Sequence, residues 1–360
     1  MPPEPMIPLV DHPDRITPHW VSAVLEKNDV AARVNDLRAT AVGTGQMADN
    51  YRLHLDYAGD RGDAPASLVV KVPSQNPQSR ASGAAGGYGT ETRFYKDLAD
   101  GVAIRTPRCF HADISESNEE FVLVLEDLAP AEQGDQIRGC DVAEARLALE
   151  NLAGLHGSRW CDATLDDLPW LNRVTPDVAA MFSGLMKPAT EAFIMRYEGR
   201  LGEGDAEVLR HFADNASGWL VQRSERFAPV HGDYRLDNLL FGTPEGGAPV
   251  AAVDWQTLSI AQPGRDVGYF LGNSLVPELR RAHERELVEA YHRALESHGV
   301  SGYSFDECYE DYRHGHFQGP LVTVLGAMGV IQTDRGDDMF MAMASRSCAA
   351  IRDLDCESLL

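Results

Sequence analysis

Residues 231–238 read HGDYRLDN, and VDWQ follows at 253–256. The first string holds Asp233 and Asn238 in the spacing D-x-x-x-x-N, and the second places Asp254 at the end of a strand-like run, VAAV. Carboxylate and amide oxygens are hard ligands, suited to Mg²⁺ with phosphate and water completing an octahedron. If the three side chains converge on one point, two of them can hold metal while the remaining Asp accepts the proton of an attacking hydroxyl. That is the division of labour in kinase phosphoryl transfer. The same residue types admit other readings. His231, Asp233, Asn238 and Asp254 could serve a metal-dependent phosphoesterase, and a nucleotide-binding module without transfer activity also stays open.

Phosphoryl transfer is mostly positioning and charge stabilisation, so a cation must hold the nucleotide phosphates. Lys71 lies inside the apolar run SLVVKVP at 67–73. An unpaired charge there is expensive, so it needs a partner. Phe94, Tyr95 and Leu98 form an apolar stripe on a helix expected over 90–100, and Glu91 precedes them on the same inward face. A strand Lys paired with a Glu on the next helix is what kinase chemistry requires. GTGQMADN (43–50) sits between two strand-like runs, where Gly43 and Gly45 permit close backbone approach to phosphate. The order of strand, Gly turn, two strands, Lys and helix Glu strengthens a signal that two glycines alone do not carry. The third glycine of the protein-kinase loop is missing.

The elements that must position these residues fall into two stretches. TPHWVSAVLEK (17–27) reads as a helix capped by Thr17 with Pro18 in its first turn. Strand-like runs follow at 35–42, 51–57, 67–73 and 121–130, with a Gly/Ala/Ser-rich mobile loop expected over 74–89 and Thr90 capping the next helix. From about 140 the pattern is helical, interrupted by a hairpin whose arms are LLFG and VAAVDW. The fold class is therefore α+β, with a strand-rich N-terminal lobe over 1–127, a helical C-terminal lobe over 128–360, and a cleft between them.

The bulk properties fit a globular enzyme. The chain has 360 residues, 44% apolar and 24% charged, with no low-complexity tract. Its net charge of −23 disfavours nucleic acid as a partner and would suit a cationic substrate. The N-terminus carries no basic head before an apolar core, and the longest apolar helical run, 321–331, is too short for a bilayer. A cytoplasmic protein without membrane contact is expected. The six cysteines form no CxxC pair and read as buried free thiols.

Taken together, VHGDYRLDNLLF, VDWQ, VVKV, ETRFY and LEDL resemble the aminoglycoside phosphotransferase and choline kinase superfamily, in particular its ecdysteroid-kinase-like branch, over about residues 35–350. The resemblance implies a protein-kinase-like two-lobed fold, ATP and Mg²⁺ as cofactors, and a small hydroxyl-bearing acceptor. It makes Asp233 the catalytic base, gives Mg²⁺ to Asn238 and Asp254, and assigns the ATP phosphates to Lys71 with Glu91. It places Arg235 where a guanidinium can neutralise the γ-phosphate. Backbone groups of Glu126 and Leu128 would meet adenine, and His231 and Asp266 would brace the catalytic loop. Trp255 and Gln256 stand where the usual metal-binding motif has Phe and Gly. A constitutively formed site is expected, which a swing of Asp254 between nucleotide-free and nucleotide-bound structures would refute.

Other clusters read as structural. His156 is expected to be a satisfied core histidine, and Met339, Met341 and Met343 to pack a core or line a pocket. His314 and His316 lack a second Cys/His pair for a metal site. The acidic run Asp306, Glu307, Glu310 and Asp311 reads as a solvated face.

Overall fold

Alternating burial along one strand shows how the N-terminal part is built. In the computed structural model, which describes residues 7–43 and 47–360, the strand β3 (Ser67–Pro73) buries Leu68, Val70 and Val72 on one face. Successive side chains of a strand point to opposite faces, so Lys71 falls on the other. Gly45, expected to share a phosphate-covering turn with Gly43, lies outside the described residues.

The chain divides into two compact units. The first comprises residues up to Asp100, Thr106–Ala129 and Asp254–Gln256. Its helix α1 (Pro18–Lys27) is capped by Thr17, whose hydroxyl accepts from Trp20 N at 3.2 Å. The strands β1 (Val34–Ala41), β2 (Ala48–Tyr57) and β3, followed by β4 (Cys109–Ile114) and β5 (Phe121–Glu126), form an antiparallel sheet in the order β1-β2-β3-β5-β4. Trp20, Val21 and Val24 of α1 pack with Leu53, Leu68, Val70, Val72, Val122 and Val124 as the core of this unit. The strand β4 was absent from the sequence reading, because CFHADI is half-buried and only weakly patterned.

The glycine-rich stretch after β3 departs from expectation. It is helical, beginning with α2 (Pro77–Ser82), continuing through a π-turn at Gly83–Gly87 with a kink at Gly86, and leading into α3 (Tyr88–Arg93). A second π-turn, Phe94–Leu98, completes the run. The cap is Asn76, whose side chain accepts from Gln78 N and Ser79 N, with Pro77 at the first position. Thr90 is interior and donates to Gly86 O. Gly83 serves close packing, since a Cβ there would collide with the Tyr88 ring.

The second unit comprises Gly101–Arg105, Pro130–Val253 and Thr257–Leu360. Its short β6 (Glu132–Gln133) leads to α4 (Val142–Ser158), opened by a capping box of Asp141 and Glu144. Residues 101–105 join this unit because Ala103 N bonds Gly154 O and Arg105 N bonds Asn151 Oδ1. The helices α5 (Pro176–Arg196) and α6 (Glu203–Val221) precede β7 (Ala228–Val230), the hairpin β8 (Leu239–Thr243) and β9 (Gly246–Ala252), and β10 (Ser259–Ala261). Then follow α7 (Gly264–Ser274), α8 (Pro277–Ser297), α9 (Phe305–Gly315), α10 (Gln318–Gly329) and α11 (Asp334–Asp353). Phe212, Trp219, Tyr269, Phe317 and Phe340 are among the residues of one large core. Every residue of α7 is buried, which makes it the central helix of this unit. Among the described residues no helix is long and apolar enough to cross a membrane.

Candidate active site

Lys71 leaves the face of β3 opposite the core, and α3 meets it there. Its Nζ lies 2.6 Å from Glu91 Oε2 and 3.1 Å from Asp254 Oδ1, with both Lys71 and Glu91 buried. Burial disfavours the Lys71 ammonium, but the facing Asp254 and Glu91 carboxylates outweigh it and raise its pKa. Burial also pushes the Glu91 carboxyl upward, while Lys71 pulls it back. Asp254 has a left-handed backbone, φ +67°, a conformation that Asp tolerates better than most residues. Trp255 anchors it: the indole is fully buried, stacks on Phe94 at 3.9 Å and 14°, and donates to Thr106 Oγ1 at 3.2 Å. Gln256 packs beside Gly87, where a Cβ would come within 3.1 Å of its Oε1. Between Glu126 and Leu128, Asp127 takes Arg52 Nε at 2.6 Å and Ser67 Oγ at 2.6 Å, which fixes the segment leaving β5. The first glycine of the expected turn, Gly43, has φ +75°.

In the second unit, HGDYRLDN joins β7 to β8 as a braced loop. Asp266, on the first turn of α7 and fully buried, accepts from His231 N at 2.6 Å and Gly232 N at 2.9 Å. His231 uses both ring nitrogens: Nδ1 accepts from Asp233 N at 3.3 Å within the loop, and Nε2 donates to Val253 O, just after β9, at 3.0 Å. Gly232 has φ +79°, and a Cβ there would sit 2.7 Å from Thr257 O. Gly232→Ala should therefore lower stability by about 1–3 kcal/mol from backbone strain alone. Urea unfolding measures this, and an unchanged midpoint would refute it.

The Asp233 carboxylate is met from three sides. Tyr269 Oη donates to Oδ1 at 2.7 Å, Asn238 Nδ2 to Oδ2 at 2.9 Å, and Arg235 Nε to both oxygens at 3.0 and 3.1 Å. Asn238 Nδ2 also donates to Asp233 O at 2.9 Å, so its amide nitrogen is committed and Oδ1 is the atom turned away. Arg235 reaches on to Asp237 Oδ2 at 2.8 Å and touches Met339 Sδ at 3.2 Å. Burial disfavours the Arg235 charge, but Asp233 and the groups around it raise its pKa. Burial would raise the Asp237 carboxyl, yet Arg235 and Arg335 hold it below its ordinary value. In kind, each residue suits Mg²⁺: Asn238 offers an amide oxygen, and Asp254 a carboxylate with 38% of its side chain exposed. His231 does not fit as a ligand, since both ring nitrogens are engaged.

A model described as the ecdysteroid kinase-like family matches residues 43–299. The chain belongs to this family. Solved structures share the fold. Choline kinase from Cryptosporidium parvum Iowa II superposes with TM-score 0.61 at 8% identity, covering 90% of this chain and 91% of that one. The GDP complex of wild-type aminoglycoside 2'-phosphotransferase-IIIa gives 0.51 at 14%, covering 91% and 97%. Plasmodium vivax ethanolamine kinase gives 0.50 at 11%, covering 87% and 81%. At these identities the likeness is one of fold, α+β and protein-kinase-like. The mouse (Mus musculus) protein "Acyl-CoA dehydrogenase family member 10" is 43% identical over 54 residues, 14% of this chain, and the match spans only 5% of that protein's length.

In this ecdysteroid kinase-like chain His156, His314 and Asp311 have structural partners. His156 is buried between Tyr291 Oη at 2.7 Å and Asp266 Oδ2 at 3.2 Å, so it supports the Asp266 brace of the 231–238 loop. Burial, with Arg223 and Arg265 adding, pulls the His314 pKa down to about 3, and His314 Nε2 contacts Gln222 Oε1 at 3.0 Å. The acidic run is solvated at Asp306 and Glu310 but not at Asp311. Asp311 is buried and takes Arg223 and Arg226, while Glu307 caps α9 through Ser304. Three residues escaped the sequence reading: Tyr269, Asp237 and Arg335, the last reaching Asp237 Oδ1 at 3.2 Å. A signal existed for Tyr269, which lies three residues after Asp266 on one helix and so shares its face. Arg335 belongs to α11, far along the chain, and no local pattern announces it.

Proposed function

We propose that this protein is an ATP- and Mg²⁺-dependent kinase that transfers the γ-phosphoryl group to a hydroxyl of a small organic acceptor. The observation that carries this reading is the buried Lys71 ammonium held against Glu91 and Asp254. A phosphoesterase has no use for that cluster, and the engaged ring of His231 removes the histidine ligand it would need. Phosphoryl transfer needs both an oriented cation and an oriented base.

In this reading Lys71, oriented by Glu91, holds the nucleotide phosphates, and backbone groups of Glu126 and Leu128 meet the base. Asn238 Oδ1 and Asp254 would hold Mg²⁺, which when bound neutralises charge on the phosphates. Asp233 orients the acceptor hydroxyl and takes its proton as the oxygen attacks. Arg235 acts first on the protein itself: its guanidinium bridges the Asp233 and Asp237 carboxylates. The nucleotide-binding roles of the N-terminal 1–127 and the catalytic and acceptor roles of 128–360 belong to the same proposal. The GDP bound to one structure of this fold makes GTP the donor to test beside ATP.

The test is ADP or GDP release from the Mg²⁺ nucleotide across aminoglycosides, amino alcohols, sugars, steroids and hydroxyacyl thioesters. Acceptor-dependent release, with a phosphorylated alcohol found by mass spectrometry, is expected for one class. Silence with every alcohol and with water overturns the reading. Phosphate release from monoesters without nucleotide would replace it with a phosphoesterase.

A further inference from the structure

We propose that Tyr269 is a positioning residue for Asp233, its hydroxyl fixing Oδ1 and with it the orientation of the carboxylate toward the acceptor hydroxyl. The inference rests on the kinase reading and adds to it a residue that fixes the base.

The geometry starts from what a carboxylate can accept. An ionised Asp offers about four lone-pair sites on two oxygens. In Asp233, Oδ1 receives the Tyr269 hydroxyl at 2.7 Å, Oδ2 receives Asn238 Nδ2 at 2.9 Å, and Arg235 Nε straddles both. These donors differ in what else they must do. Asn238 belongs to the proposed metal site, and Arg235 also serves Asp237 and contacts Met339. Tyr269 has one task. Its side chain is fully buried, and its hydroxyl has no other hydrogen-bond partner among the described residues. Burial, followed by the nearby Asp233, raises the phenol pKa well above its ordinary value, so the hydroxyl stays a donor across the working range.

The placement is equally specific. Asp266 and Tyr269 lie three apart on α7, the fully buried helix. Asp266 fixes the backbone before the base at His231 N and Gly232 N, and Tyr269 fixes its side chain. Gln318 Nε2 adds a bond to Gly232 O at 2.8 Å. One rigid helical face thus clamps both backbone and side chain of the catalytic loop. Asp233 keeps 21% of its side chain exposed, whereas Tyr269 exposes none. Tyr269 therefore acts through Asp233 and does not touch the acceptor.

The experiment is a double-mutant cycle with Tyr269→Phe and Asp233→Asn, read by transfer from Mg·ATP to the most active alcohol of the panel, or to water. Tyr269→Phe keeps the ring and should leave the protein folded, with a melting temperature only a few degrees lower. Loss of a hydrogen bond to a charged group predicts a fall in kcat of roughly ten- to a hundredfold, with KM for ATP and for the acceptor held within about twofold. In the Asp233→Asn background, where single-turnover assays reach the residual rate, Tyr269→Phe should change nothing further. Effects that multiply instead would make Tyr269 merely structural and overturn the inference. Wild-type kcat in Tyr269→Phe beside a crippled Asp233→Asn would overturn it too, leaving the kinase reading intact. Wild-type turnover in Asp233→Asn would remove the reading itself.

Discussion

Asp233→Asn is expected to lower kcat roughly a hundred- to ten-thousandfold, the range spanned by a positioned general base, while nucleotide affinity changes little. Lys71 and Glu91, proposed to position the nucleotide, are untouched by the change, so KM for ATP should stay near the parent value. The substitution is close to isosteric, but its hydrogen bonding is not. An Asn presents one acceptor oxygen and a donor nitrogen where Asp233 meets three donors, Tyr269 Oη, Asn238 Nδ2 and Arg235 Nε. One donor must lose its partner. Arg235 keeps Asp237 at 2.8 Å, so the loss is local, and a stability decrease of about 1–3 kcal/mol is expected from the unsatisfied group. Calorimetric titration with Mg·ATP and a thermal melt separate the two effects. A fall in turnover with unaltered binding and a folded protein supports the base role. Parent-like turnover would exclude it.

Much of this arrangement was legible because it depends on local periodicity. The apolar run SLVVKVP implied that a charge as buried as Lys71 needs a partner, and the stripe of Phe94, Tyr95 and Leu98 put Glu91 inward, so their contact could be expected. The helix from Pro77 could not be read from composition. Gly83, Gly86 and Gly87 suggest a loop, and only the packing of Tyr88 and Gln256 against Gly83 and Gly87 shows why small residues stand in a helix there. The cap Asn76-Pro77 was the available signal, and the glycines outweighed it. Asp237 was hidden inside a motif already explained by its neighbours, although its carboxylate gathers Arg235, Arg335 and Gln136 N. Asp311 was misread for a related reason: charge suggests solvent unless the partner is known, and Arg223 and Arg226 lie more than eighty residues away in sequence. Long-range ion pairs leave no periodic trace.

The same long-range logic makes Lys71→Met the second large effect, because it strands the buried Glu91 charge that Lys71 neutralises. Glu91 is 1% exposed, and removing the ammonium 2.6 Å away leaves it buried beside Asp254. Breaking a buried pair by deleting one partner destabilises by about 3–5 kcal/mol. The loss should depend on pH in a defined direction. In the variant the folded Glu91 carboxyl titrates above its unfolded value of about 4.3, since burial already raises it in the parent and the opposing cation is gone. Below that value both states are protonated and the penalty vanishes. As pH rises, the unfolded chain gains an ionised carboxylate that the folded chain resists, so the deficit grows toward neutrality. Urea unfolding at about pH 4.5 and 7.5 should show it. The double variant Lys71→Met/Glu91→Gln should recover much of the stability at neutral pH, having no buried charge to strand. Turnover should stay down by roughly a hundred- to a thousandfold in both variants, the scale of losing an electrostatic stabiliser of the transition state. Recovery of stability without recovery of turnover would separate the structural role of the pair from its role on the phosphates. Full turnover in the double variant would leave Lys71 and Glu91 as a structural pair alone.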